Sequence, residues 1–141
     1  FVRLIEAASG MSIDEFLAER GAAINEAAFT DTSDRNVLAC NALGIINGVG
    51  NNKFDPSGKL TRAHVAAILN NMASKAMDIE TEGHSHDFTD TAGHWCDALL
   101  GWPVKAGIVR GVGNNKYNPE GQLTVEQTII ICIQALDALR R

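Results

Sequence analysis

Gly44–His64 reads GIINGVGNNKFDPSGKLTRAH, and Gly107–Gln127 reads GIVRGVGNNKYNPEGQLTVEQ. Aligned without gaps, 12 of the 21 positions are identical, and Ile46/Val109, Phe54/Tyr117 and Asp55/Asn118 are close substitutes. A chain that repeats itself this closely is a tandem array of a small module, so the fold follows from what one copy does. The residue types spell a helix stop, two turns and a helix start. Glycine at the head of each stretch (Gly44, Gly107) suits the left-handed residue after a helix, and the Ile behind it can fold back on the last turn. Val-Gly-Asn-Asn-Lys supplies residues that tolerate positive φ and reads as a tight turn. Pro56 and Pro119 lead to a second turn at Ser57-Gly58 or Glu120-Gly121. Thr61 and Thr124 then stand as N-caps, with Gln127 completing a capping box that His64 fills less well in the first copy.

Working outward, Phe29-Thr30-Asp31-Thr32 and Phe88-Thr89-Asp90-Thr91 open the two copies. Each reads as a buried aromatic followed by groups able to cap a helix. The first helix spans about 34–43 in copy one and begins near Trp95 in copy two, running to Ala106. The copies are offset by 59 residues at the opening motif and by 63 at the glycine stretch, so copy one lacks about one helical turn and the tryptophan with it. Pro103 predicts a kink or split. Val65, Ile68, Leu69 and Met72 make one apolar face of the long helix. Its counterpart is apolar nearly all round at Ile129–Ile133, so it is either central in the bundle or covered by something outside the chain. Residues 1–8 read as the middle of an amphipathic helix, and Ser12 with Glu15 as a capping box. Asp78–Ser85 reads as a polar linker between copies.

Composition narrows the function classes. With 6% aromatic residues, the core must be built from Ala, Leu, Ile and Val, which suits helices. A net charge of −5 argues against a nucleic-acid or anionic-membrane binder, which needs a basic face. No apolar run approaches the roughly 20 residues of a membrane-spanning helix. Three cysteines without metal or redox spacing (Cys40, Cys96, Cys132) predict reduced, mostly buried thiols. The chain reads as an excised piece, because Phe1 lies within a helical pattern.

The order F-x-D, helix, G-I-I-x-G, G-x-x-x-F-x-P, L-T-R-A and amphipathic helix, present twice, resembles the S-layer homology module. Residues 1–28 then read as the tail of a preceding repeat plus connector, 29–83 as one repeat with a short first helix, and 84–141 as a second. The resemblance implies a mainly α fold: tandem helix–loop–helix repeats packed as a pseudo-trimeric bundle. It implies a non-catalytic module of the bacterial cell surface that binds a secondary cell-wall polysaccharide of pyruvylated type in grooves between neighbouring repeats. The partners it implies are that polysaccharide and the adjoining repeat. Carried over by position, the glycan-binding candidates are Thr61 and Arg62 of the T-R-A-E motif, Asp31 and Asp90 of F-x-D, Gly48 and Gly111, and Trp95. Arg110 is a substitute where Val125 replaces the motif's arginine. His64 replaces its glutamate.

The remaining chemistry is thin. The glycines lack the G-x-G-x-x-G or G-K-[ST] context of a phosphate loop. Asn51, Asn52, Asp55 and Ser57 lack the oxygen-ligand pattern of a calcium loop. His84, His86, His94 and Cys96 have metal-ligand chemistry but sit partly in the linker, and solvated histidines explain them better. Thr61, Thr124 and Gln127 are better explained as caps than as ligands, and Trp95 as core packing. No nucleophile–base constellation is present, and no cofactor is called for.

Overall fold

A computed structural model describes residues 1–140. The chain is helical, with α1 (Val2–Ser9), α2 (Ile13–Glu19), α3 (Arg35–Ala42), α4 (Arg62–Asn71), α5 (Gly101–Lys105) and α6 (Val125–Leu139). A π-helical turn, Met72–Ala76, prolongs α4, and a 3-10 turn, Asp97–Leu99, precedes α5. Among the described residues the only β pairings are three isolated bridges: Gly50 with Lys53, Gly113 with Lys116, and Thr61 with Gln122. The first two close equivalent turns within each copy. The third joins one copy to the other.

The local signals act as their chemistry dictates. Ser12 and Thr124 close capping boxes with Glu15 and Gln127. At the end of α3, Gly44 takes φ 77°, its N–H donates to Asn41 O at 2.9 Å and that of Ile45 to Cys40 O at 2.9 Å. Gly107 and Ile108 repeat the arrangement against Val104 and Pro103. This is the Schellman pairing, which satisfies the orphan carbonyls of the last turn.

Several sequence expectations are corrected. Asp31 and Asp90 do not cap helices; Asp34 caps α3, accepting from Asn36 N and Val37 N. The four extra residues of copy two form a non-helical turn around 92–96 instead of an added helical turn. The split in the first helix lies before Pro103, between the 3-10 turn and α5. Pro103 is the third residue of α5, where a helix N–H has no intrahelical acceptor, so its missing donor costs nothing. The connector after α4 is packed: Ile79 N donates to Ala73 O at 2.9 Å, and a Cβ on Gly101 would lie 2.2 Å from His84 O.

The core runs through both copies and the N-terminal helices. Ile5, Ala39, Ile45, Leu69, Met72, Ala73, Leu100, Ile108 and Ala135 are each 1% exposed or less. α1 packs against α2, α3 and α6, and α4 against α5 and the 3-10 turn. α4 is buried on more than one face, with Ala63, Ala66 and Ala67 enclosed beside Val65 and Leu69. α6 is not central. Its far end, Ala135 and Leu139, joins the core, while Val125, Ile129, Ile130 and Ile133 face outward. Cys40 and Cys96 are buried and Cys132 is exposed; all three are free thiols.

Asp31 accepts from Phe54 N and Asp55 N at 2.8 Å each, and Asp90 from Tyr117 N at 2.9 Å and Asn118 N at 2.8 Å. Each carboxylate thus ties the start of its copy to the second turn more than 20 residues later. The amide of Phe54 is the main influence holding Asp31 below the usual carboxylate range. For Asp90, desolvation raises the pKa, but the amides of Tyr117 and Asn118 outweigh it and the net direction is down. A carboxyl whose folded pKa is depressed stabilises the fold above its unfolded value, about 3.9, and that stability is lost as pH falls through the folded value. The double variant Asp31→Asn/Asp90→Asn is therefore expected to be less stable at pH 7 and to lose less on acidification below about pH 4. Urea unfolding across that range reads both effects.

Candidate functional site

The junction of the two copies is built on Arg62, the first residue of α4. Its side chain is 8% exposed. Nε donates to Tyr117 O at 2.6 Å and Nη2 to Arg110 O, while Tyr117 Oη donates to Arg62 O at 2.7 Å. The guanidinium carbon stands 4.5 Å from the centre of the Tyr117 ring. The cation is thus met by two carbonyl dipoles and an aromatic face. Burial pushes the Tyr117 hydroxyl up to about 12, so it remains a donor at neutral pH. The backbone follows the side chain: Arg62 N donates to Gly121 O at 2.8 Å and Ala63 N to Pro119 O at 2.9 Å. Helix N-termini present unpaired N–H groups, and here the next copy's turn supplies the acceptors.

Two residues along α4, His64 carries the candidate site to the surface. Thr61 Oγ accepts from His64 N at 3.2 Å and lies 2.8 Å from His64 Nδ1, so the ring returns to the cap's hydroxyl where a glutamate would reach its backbone. The ring centroids of His64 and His94 each stand 5.4 Å from that of Trp95. Trp95 is 53% exposed, so it is not the core residue its sequence position suggests; Trp102 is the buried tryptophan. Trp95 and His64 rim a groove of about 730 Å³ between α1, α3, the turns of copy one and α4. Val37, Ile46 and Phe54 line its apolar side, and Lys59, Asn36 and Asn71 bring polar groups to it.

Of the three histidines near the connector, His86 and His94 are half-buried and held by hydrogen bonds, and His84 is exposed. His94 Nδ1 accepts from Cys96 N at 3.2 Å, leaving Nε2 to donate to Glu120 Oε1 at 2.6 Å. His86 Nδ1 accepts from Phe88 N at 3.1 Å, and its Nε2 donates to Asp97 at 3.1 Å. Among the described residues no group of three or more His, Cys, Asp or Glu side chains could hold a metal ion.

Of the eight candidates read from the sequence, Gly48 and Trp95 line the groove. Thr61 caps the helix beside it, and Arg62 and Arg110 meet at the inter-copy clasp, the latter through its carbonyl. Asp31 and Asp90 hold turns. Gly48 and Gly111 are packing positions: a Cβ would lie 2.6 Å from Phe29 in the first case and 2.6 Å from Phe88 in the second. The reasoning from sequence missed Tyr117 as the partner of Arg62, and His64 as a neighbour of Trp95. The Tyr/Phe difference between copies was the available signal for the first. For the second there was none, because the residues are 31 positions apart and meet only in the fold.

The pattern of the S-layer homology domain matches residues 29–66 and 87–128, more than half of the chain. The chain belongs to the S-layer homology family. Relatives include a cell surface protein of Thermoanaerobacter kivui, 31% identical over 115 residues that make up 77% of this chain and 15% of that protein. A surface-layer 125 kDa protein of Lysinibacillus sphaericus is 30% identical over 94 residues, 67% of this chain and 8% of the relative. The exoglucanase XynX of Acetivibrio thermocellus is 30% identical over 96 residues, again 67% of this chain and 8% of the relative. The chain thus spans less than a sixth of the length of these relatives. Family membership makes it a wall-associated module of the cell surface that serves in anchoring, and no described helix is long and apolar enough to cross a membrane.

Arg62→Ala removes two charge-assisted bonds and leaves two carbonyls of the next S-layer homology repeat unmet. A loss of about 2–4 kcal/mol in urea unfolding is expected. Arg62→Lys is expected to recover less than half of it, since one ammonium cannot reproduce the fork.

Proposed function

We propose that the chain anchors the protein that carries it to a secondary cell-wall polysaccharide of pyruvylated type, gripping the glycan in the groove beside Trp95. The observation that carries this reading is the half-exposed indole at the rim, where an apolar ring face can stack on a sugar while His64 and Lys59 stand near enough to the same groove to attract a carboxylate. Arg62 contributes in two ways. It holds the second repeat against the first, and its Nη1, neither bonded within the described protein nor sealed from solvent, keeps donors for an anionic ligand. Asp31, Asp90, Gly48 and Gly111 act by keeping the turns in shape, and Arg110 is exposed beside the clasp. Sharing the module with a surface-layer protein and an exoglucanase fits a non-catalytic part carried by proteins of different activity.

A second reading, self-assembly with degenerate glycan sites, is favoured by the outward apolar face of α6, where Val125 is 78% and Ile133 65% exposed. Sedimentation with purified cell walls separates the two. Retention that disappears when the polysaccharide is chemically removed, and falls about tenfold in Trp95→Ala, is the outcome expected of the anchoring reading. Retention unchanged by glycan removal, with concentration-dependent association of the chain alone, would replace it with the second.

A further inference from the structure

At the opposite end of α4 from Arg62 lies a cleft of about 830 Å³ that the groove beside Trp95 does not include. One wall is the last turn of α4 and the π-helical turn, the other is the connector 78–84, and Ala98 and Leu99 of the 3-10 turn close the base. The π-helical turn is itself informative. Met77 N donates to Met72 O at 3.1 Å, a five-residue span of a kind that is rare and frequent at functional sites.

The second observation is Asn70. It is 8% exposed, and its side-chain amide makes no hydrogen bond within the described protein. Since no buried polar side-chain atom is both sealed and unpaired, that amide opens on the cleft it lines. An amide held in place and open to the cleft without a protein partner leaves a donor and an acceptor that a ligand can engage in place of water. Ser74 stands one turn on, its hydroxyl donating to Asn70 O at 3.0 Å and keeping lone pairs to accept. Across the cleft, Glu80, Glu82 and His84 add acceptors and a ring nitrogen, and Ile79 and Leu99 add an apolar strip.

Donors and acceptors together, beside a small apolar strip, suit a hydroxyl-rich ring. Charge selects among such rings: Asp78 is paired with Arg20, but Glu80 and Glu82 still outnumber Lys75, so a carboxylated unit is repelled. We infer that this cleft is a second carbohydrate site, taking an uncharged or amine-bearing sugar unit with Asn70 as its central contact. The inference rests on the chain being a polysaccharide binder, and it assigns the two clefts to units of different charge on one polymer.

The test is a titration of the isotope-labelled chain with glucosamine, N-acetylglucosamine and glucuronic acid, followed by amide chemical shifts. Glucosamine or N-acetylglucosamine is expected to give saturable shifts at the Asn70 side-chain amide and at Ser74 and His84, with none there from glucuronic acid. Asn70→Ala is expected to weaken that binding roughly tenfold. Because Asn70 is buried, the exposed pair Glu80→Gln/Glu82→Gln provides a second variant, which should weaken glucosamine several-fold while leaving the dispersion of the spectrum intact. No saturable shift at Asn70 with either neutral or amine-bearing sugar, or equal shifts with glucuronic acid, overturns the inference. Wall sedimentation of Trp95→Ala reads the other groove, so failure there with intact shifts at Asn70 counts against the anchoring reading alone.

Discussion

Arg62 and Tyr117 hold each other by side chain and backbone at once, and the relation of the two repeats depends on that reciprocity. The guanidinium donates to the tyrosine's carbonyl, and the tyrosine's hydroxyl donates to the arginine's carbonyl. A buried cation with no partner would cost several kcal/mol, so the first repeat cannot close on itself without the second repeat's turn in place. The same contact places the first N–H groups of α4 on the carbonyls of Pro119 and Gly121. One long-range pair thus satisfies a helix start, fixes the angle between repeats and sets the floor from which His64 and Trp95 rise.

The proposed glycan surface rests on this at low cost in flexibility. The indole of Trp95 sits on a turn, where loops carry binding groups above a rigid scaffold. That turn is fastened by His94 to Glu120 and flanked by His64 on α4. Both neighbours come from segments that the Arg62 clasp orients. Changes at the clasp are accordingly expected to be felt first as stability and only then as binding.

Much of the fold was legible in the chain. The Schellman glycines, the threonine caps, the turns at Asn51-Asn52 and Asn114-Asn115 and the helical periods are local, and local backbone geometry depends on residue type and immediate neighbours. Family membership followed from the order of those same local pieces. Less of the site was legible. Asp31 and Asp90 looked like caps because a capping aspartate and a turn-holding aspartate have the same sequence neighbourhood, and only the fold brings residues 54 and 117 within reach.

The sequence by itself determined the module, its repetition and the surface class of protein that carries it, since these rest on short-range propensity and spacing. Tertiary structure alone decided what the distinctive residues do. Arg62 is drawn inward because a neighbouring repeat offers carbonyls and a ring at the right distance. Trp95 is turned outward because a four-residue insertion forms a turn where the first copy has none. Asn70 is enclosed, with its amide open to a cleft, because a π-helical turn and a packed connector meet over it. The partners of Arg62 lie 48 and 55 positions away, and His64 and Trp95 are 31 apart, so the local pattern could not have paired them.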